Sequence, residues 1–168
     1  MTNTTKTLVV RGFLFIYLAI LLVSAVPEHL AEGLSLPIGL AFAVGAGIAY
    51  LAHRKAGIVG LAFLLVHMSI EWNEYAAHFH EFTATDYGIY GFHVALDLIF
   101  MWVLLREVAK RPLPFFFLSL AGVGVGAVLS SFIFASEVMA LPSEFLHVGT
   151  LGGIIACTVS HLFPKRLA

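Results

Sequence analysis

The hydrophobic residues of the chain fall in six long stretches, separated by short segments that carry most of the charged residues. The stretches cover residues 8–26, 36–52, 57–78, 88–105, 113–135 and 143–163. Each is close to the 17–25 residues that a membrane-spanning helix requires. The connecting segments are too short for a soluble domain. We therefore predict an all-α integral membrane protein in which residues 1–168 form a single bundle of six transmembrane helices, arranged as three hairpins.

The third stretch contains a row of polar residues. His67, Glu71, Glu74 and His78 are spaced i, i+4, i+7 and i+11. On an α-helix these positions point within roughly 60° of one another and extend over about 16 Å. Ionised side chains that faced lipid would cost several kcal/mol each. The row is therefore expected to face other helices, water or an ion.

Composition and charge agree with a membrane protein and give it an orientation. The chain is 60% hydrophobic and only 11% charged, whereas about 25% of the residues in a soluble domain are charged. The nine basic residues are Lys6, Arg11, Arg54, Lys55, Arg106, Lys110, Arg111, Lys165 and Arg166. All lie at the same end of the predicted spans, so the positive-inside rule predicts an inner or plasma membrane protein with both termini cytoplasmic. We expect the lipid bilayer, and no nucleic acid, as a partner.

The N-terminal stretch has a second interpretation. Its basic residues, its apolar run and the segment Val23-Ser24-Ala25 also fit a cleaved signal peptide. We expect it to be retained as the first span.

The same topology places most other polar groups toward the outer face. His93 and Asp97 are spaced i and i+4 on the fourth span, and His147 opens the sixth. Imidazole nitrogen and carboxylate oxygen are ligands of Zn²⁺ and Fe²⁺. We predict a metal site in the outer half of the bundle, with Zn²⁺ the first expectation and Fe²⁺ the second. The predicted ligands are His67, Glu71, His78, His93 and His147; the predicted acid–base groups or further ligands are Glu74 and Asp97; the other pocket residues are Glu28, His29, Glu137 and Glu144.

Other interpretations of these polar residues stay open at this stage. They could hold two metal ions, or a b-type haem between His67 and either His93 or His147, although carboxylates are costly beside haem. They could also be interhelical hydrogen-bonding groups without a ligand.

The leading functional hypothesis is a metal-dependent intramembrane hydrolase that acts on a lipid or lipid-linked substrate. The alternatives are a divalent-metal or proton transporter or channel, a haem protein, and a substrate-binding subunit of an uptake complex. The inner halves of the spans are largely apolar, which favours a pocket that opens on one side over a continuous ion pathway.

Glycines and aromatic residues complete the pattern. Gly122 and Gly126 of the fifth span form a small-xxx-small pair, which favours internal packing, with a homo-oligomer contact as the alternative. The second and sixth spans carry similar glycine groups, which suggests an internal repeat; these are Gly39, Gly45 and Gly47, and Gly149, Gly152 and Gly153. We assign Trp72, Tyr75, Tyr87, Tyr90 and Trp102 mainly to interfacial aromatic belts, with Tyr75 or Trp72 lining a pocket as the alternative.

Overall fold

The computed structural model describes residues 3–23, 36–51, 55–133 and 137–163, and every regular element in these ranges is helical. Side chains are described for residues 8–23, 39–51, 55, 57–133 and 145–163. The elements are α1 (Asn3–Val23), α2 (Leu36–Leu51), α3 (Ala56–His78), α4 (Ala84–Val108), α5 (Pro112–Ile133) and α6 (Glu137–Leu162), with a 3₁₀ turn at Phe79–Glu81 between α3 and α4. The predicted all-helical fold with six helices is confirmed within these ranges.

Three of the described helical segments are long and apolar enough to cross a membrane: Ala84–Val108, Pro112–Ile133 and Phe145–Leu162. Two shorter apolar segments, Leu8–Val23 and Gly39–Leu51, lie in α1 and α2. The crossing of a membrane by all six helices remains a prediction.

Helix α4 begins before its apolar stretch because its first turn is capped. Thr83 Oγ1 accepts a hydrogen bond from the backbone N–H of Asp86, and the Asp86 carboxylate accepts one from the backbone N–H of Thr83. This reciprocal capping box satisfies two amide donors that a helix start otherwise leaves open. Helical structure therefore extends back along the chain to Ala84. Further along α4, His93 and Asp97 lie on the face that contacts α3 and α1.

The most extensive helix contact joins α2 to α6, which belong to different predicted hairpins. Glycines allow it: a Cβ atom on Gly45 would overlap the backbone carbonyl of Gly149, and one on Gly152 would overlap the carbonyl of Phe42. The glycine groups that suggested a repeat thus meet one another. Close approach of small-residue faces is typical of helix pairs in membranes.

The glycine-rich α5 packs mainly on α3. A Cβ atom added to Gly126 would lie 2.8 Å from the Cβ atom of Ser69. A Cβ atom added to Gly122 would meet nothing within 4 Å. One member of the small-residue pair therefore serves internal packing.

Helix α3 contacts α4, α5 and α6 and lies at the centre of the bundle. The part of α3 that precedes His67 packs in a buried apolar core that includes Leu64, Leu104 and Ile154. The polar residues of α3 begin at His67, where this core ends. The core closes one side of the candidate site.

Candidate metal centre

Side chains from α3, α4 and α6 converge on the carboxylate of Glu71. Its Oε1 atom lies 3.2 Å from His67 Nε2, 3.6 Å from His93 Nδ1 and 3.9 Å from His147 Nε2. Asp97 adds a second carboxylate, with Oδ2 4.0 Å from His93 Nε2. Five residues that the sequence analysis selected therefore form one cluster, although they are separated by up to 80 positions in the chain (67 to 147).

The cluster is buried at its base and opens toward the end of α3. His67, Glu71 and Asp97 are buried. The side chains of His93 and His147 are 19% and 14% exposed, and that of Glu74 is 51% exposed. Because His67 is the central residue of α3, the deepest residue of the cluster lies at the middle of that helix. The cluster extends from there toward the C-terminal end of α3, which is the predicted outer end.

Thr150 of α6 fixes the orientation of the His67 ring. Its hydroxyl donates a hydrogen bond to the carbonyl of His147 at 2.7 Å, so the same oxygen is left to accept from His67 Nδ1, 3.4 Å away. A neutral imidazole that carries its proton on Nδ1 has a lone pair on Nε2. That lone pair points at the Glu71 carboxylate, which is the side on which a cation would be held by both.

Asp97 and His93 are held from outside the cluster in a similar way. Tyr17 of α1 donates a buried hydrogen bond to Asp97 Oδ1 at 2.7 Å. The Tyr75 hydroxyl lies 3.3 Å from His93 Nδ1. Partners of this kind orient the ligands of protein metal sites and fix the histidine tautomer. Tyr17 contacts Asp97 Oδ1 and Tyr75 contacts His93 Nδ1. The remaining atoms, Asp97 Oδ2 and His93 Nε2, face each other.

Several buried polar atoms in this region have no hydrogen-bond partner among the described residues. They are His67 Nε2, Glu71 Oε2, Trp72 Nε1, His93 Nε2 and Asp97 Oδ2. An unsatisfied buried polar atom costs about 1–3 kcal/mol, and four of the five belong to the cluster. Binding of metal ions among them would give these four atoms partners.

The spacing of the atoms suits a divalent ion. His67, Glu71 and His147 each offer a ligand atom within 4.8 Å of the other two, and so do Glu71, His93 and Asp97. Ligands about 2.1 Å from a tetrahedral ion stand about 3.4 Å from one another. The observed separations of 3.2 to 4.0 Å around Glu71 and Asp97 are therefore close to a ligated geometry.

The other predicted site residues lie elsewhere or outside the described part. His78 is exposed at the end of α3, with Nδ1 3.1 Å from Glu81 Oε2, away from the cluster. Glu74 lies at the mouth, with Oε1 4.0 Å from His147 Nδ1. Glu28 and His29 lie outside the described residues, as do the side chains of Glu137 and Glu144.

Tyr17 and Thr150 contact the cluster and were not selected from the sequence, and Tyr75 was selected only as an alternative. Thr150 lies three positions after His147, so helical spacing placed it on the same face. Tyr17 lies inside an apolar stretch, where a buried hydroxyl requires a partner. Tyr75 was assigned first to the aromatic belt and alternatively to a pocket, and its hydroxyl lies 3.3 Å from His93 Nδ1.

The chain was also compared with known proteins. No protein-family model matches it, and neither the curated proteins nor the solved structures gave a match.

Proposed function

We propose that the chain is an integral membrane protein whose six helices all cross the bilayer, with both termini cytoplasmic. The distribution of polar and apolar side chains supports this proposal. On α5, Phe117, Leu118, Val125 and Phe132 are each more than 60% exposed, whereas His67, Glu71 and Asp97 are buried inside. Apolar surface of this extent is expected where the surroundings are lipid.

The protein binds a divalent metal ion, with Zn²⁺ the first expectation, at the cluster around Glu71. The single observation that carries this assignment is the pairing of His67 Nε2 with the Glu71 carboxylate. His67 Nε2 lies 3.2 Å from Glu71 Oε1, both side chains are buried, and Thr150 holds the His67 proton on the far side of the ring. His67 Nε2 and the second carboxylate oxygen, Glu71 Oε2, have no hydrogen-bond partner among the described residues. A cation between a lone pair and a carboxylate removes the cost of burying both.

The metal supports hydrolysis of a lipid or lipid-linked substrate. A bound Zn²⁺ polarises a water molecule toward hydroxide near neutral pH. Glu74, half-exposed at the mouth, is the carboxylate placed to accept a proton from that water or to orient His147. Asp97 is fully buried and held by Tyr17, which suits a ligand better than a proton-transfer group.

Aromatic side chains beside the mouth support a substrate with an apolar part. The rings of Tyr75 and Tyr90 lie 4.6 Å apart, and Phe82 stacks on Tyr90, also at 4.6 Å. This wall joins the ends of α3 and α4 next to His93. An acyl chain could lie along it while its polar linkage faces the metal.

Transport of a divalent ion is the second candidate, and the depth of His67 favours it. Substrate and ion sites of many transporters lie near the bilayer midplane, and His67 is the central residue of α3. Against this, the described residues on the cytoplasmic side of the cluster are apolar core, including Leu64, Leu104 and Ile154.

The geometry does not favour haem. Axial histidines stand on opposite sides of the macrocycle, whereas the rings of His67 and His147 are only 4.7 Å apart and both face Glu71. The buried carboxylates would also be costly beside a haem.

The two leading functions are separated by assays on the same Zn²⁺-loaded protein in liposomes. We expect hydrolysis of a fluorogenic lipid ester or phosphoester that is lost in Glu74→Gln, with no Zn²⁺ uptake into the vesicles. Glu81→Gln is the matched control, because Glu81 is an exposed carboxylate that contacts only His78 and His80 among the ion pairs described. Zn²⁺ uptake without hydrolysis would instead establish a carrier and overturn the hydrolase proposal.

A further inference from the structure

We infer that the cluster holds two divalent metal ions that share the carboxylate of Glu71. The inference rests on the proposed metal site and specifies its nuclearity.

The ligand atoms divide into two sets around Glu71. The first set is His67, Glu71 and His147, and the second is Glu71, His93 and Asp97. Within each set the ligand atoms lie within 4.8 Å of one another. Each set contains at least one imidazole and one carboxylate, which is a donor set that divalent transition metals accept. Only Glu71 belongs to both, and it has two oxygens to offer.

The unpartnered atoms are distributed over both sets. His67 Nε2 belongs to the first set, His93 Nε2 and Asp97 Oδ2 to the second, and Glu71 Oε2 to the shared carboxylate. His67, Glu71 and Asp97 are each more than nine-tenths buried. One ion bound in the first set would leave the Asp97 and His93 atoms facing each other at 4.0 Å without a partner. A second ion satisfies them.

Each set also has its own outer support. Thr150 orients His67 in the first set. Tyr17 and Tyr75 contact Asp97 and His93 in the second. Fixing the ring or carboxylate of a ligand from outside is characteristic of a metal site, and the structure does so twice on different helices.

The negative charge of the cluster favours two ions. Glu71 and Asp97 are buried carboxylates, and Glu74 adds a third carboxylate at the mouth. Three carboxylates offset most of the four positive charges of two divalent ions, which matters because uncompensated charge is expensive in a membrane interior. A carboxylate that bridges two ions holds them about 3.5–4 Å apart, a spacing at which both can contact the attacking and leaving oxygens of one ester.

Metal counting tests the inference directly. The purified protein is loaded with Mn²⁺, freed of excess ion and analysed for metal per chain. We expect two Mn²⁺ per wild-type chain and one in Asp97→Asn, which keeps the acceptor for Tyr17 but leaves the second set with only the shared carboxylate of Glu71. One Mn²⁺ in both proteins would overturn the inference and leave the single-metal proposal intact. No Mn²⁺ in either would overturn both.

Electron paramagnetic resonance of the wild-type protein keeps the test independent of any variant. Two Mn²⁺ ions bridged by Glu71 are exchange-coupled, so we expect a coupled spectrum at full loading. The hyperfine pattern of isolated Mn²⁺ at full loading would contradict the shared carboxylate, even if two ions were counted.

Discussion

Replacing Thr150 by Val tests the geometry of the metal centre without touching a ligand. Thr150 holds the proton of His67 on Nδ1 because its own hydroxyl hydrogen is used on the carbonyl of His147. Valine has nearly the same shape and lacks the hydroxyl. In the variant the Nδ1 proton loses its buried acceptor, and the ring is free to carry its proton on Nε2, where it would exclude the metal.

The magnitude follows from the buried hydrogen bond. An unsatisfied buried donor costs about 1–3 kcal/mol, and each 1.4 kcal/mol is about tenfold in a dissociation constant. Loss of a partner that orients a ligand typically weakens metal affinity by about 10- to 100-fold. We therefore expect the Kd for Zn²⁺ to rise by about 10- to 100-fold in Thr150→Val, as measured by competition with a chromophoric chelator in detergent.

Thr158→Val is the matched control on the same helix. Thr158 is also buried, and its hydroxyl donates to the carbonyl of Ile154 at 2.8 Å, remote from the cluster. Its Kd should stay within about twofold of wild type, the range of substitutions that touch no special feature. An unchanged Kd in Thr150→Val, or an equal rise in both variants, would refute the orientation argument.

The remaining predictions concern helix packing, capping and the outer support of the cluster. Gly45→Ala should lower the thermal midpoint in detergent because its methyl group meets the backbone of α6, whereas Gly47→Ala, which meets nothing within 4 Å, should leave it unchanged or raise it slightly; equal midpoints would contradict the close α2–α6 contact. Tyr17→Phe should leave a buried carboxylate oxygen without its donor and weaken metal binding by about 1–3 kcal/mol, and wild-type affinity in that variant would contradict the role of α1 in the site. Thr83→Ala should accelerate amide hydrogen exchange in the first turn of α4 by removing a cap worth about 1 kcal/mol. Thr85→Ala, two residues later and not the capping residue, should not.

The hydrophobic pattern predicted the helices because an apolar stretch of this length fits few structures other than a long helix. The third stretch, 57–78, matches Ala56–His78 almost residue for residue. The fourth began four residues late because hydropathy does not register a capping box of exposed residues such as Thr83 and Asp86. The hydrophobic pattern could not predict that α2 packs on α6. Two helices with glycine-rich faces can pack together even when they are distant in the chain.

The residues of the cluster were predictable because ionisable groups in apolar helices need a partner. The spacings His67–Glu71 and His93–Asp97 correctly placed both pairs on single helix faces. The burial of each polar side chain was not predictable from the same spacings. His78 lies on the predicted row, but α3 ends there, so its side chain is 63% exposed and bonded to Glu81.

The outer supports were harder to predict than the ligands. Tyr17 and Thr150 are ordinary residues of apolar helices until the tertiary packing brings them to Asp97 and His67. Their roles depend on contacts between residues that are 80 and 83 positions apart in the chain, which no local pattern encodes.

The central claim is that Glu71 organises a divalent metal centre inside the bundle, and the metal content of the purified protein tests it most directly. Elemental analysis and an optical spectrum should show at least one equivalent of zinc or iron per chain and no Soret band. Glu71→Gln should lose the metal, while His78→Ala, which removes an exposed histidine outside the cluster, should retain it. A metal-free wild-type protein that takes up neither Zn²⁺ nor Fe²⁺, or equal metal content in wild type and Glu71→Gln, would contradict the account.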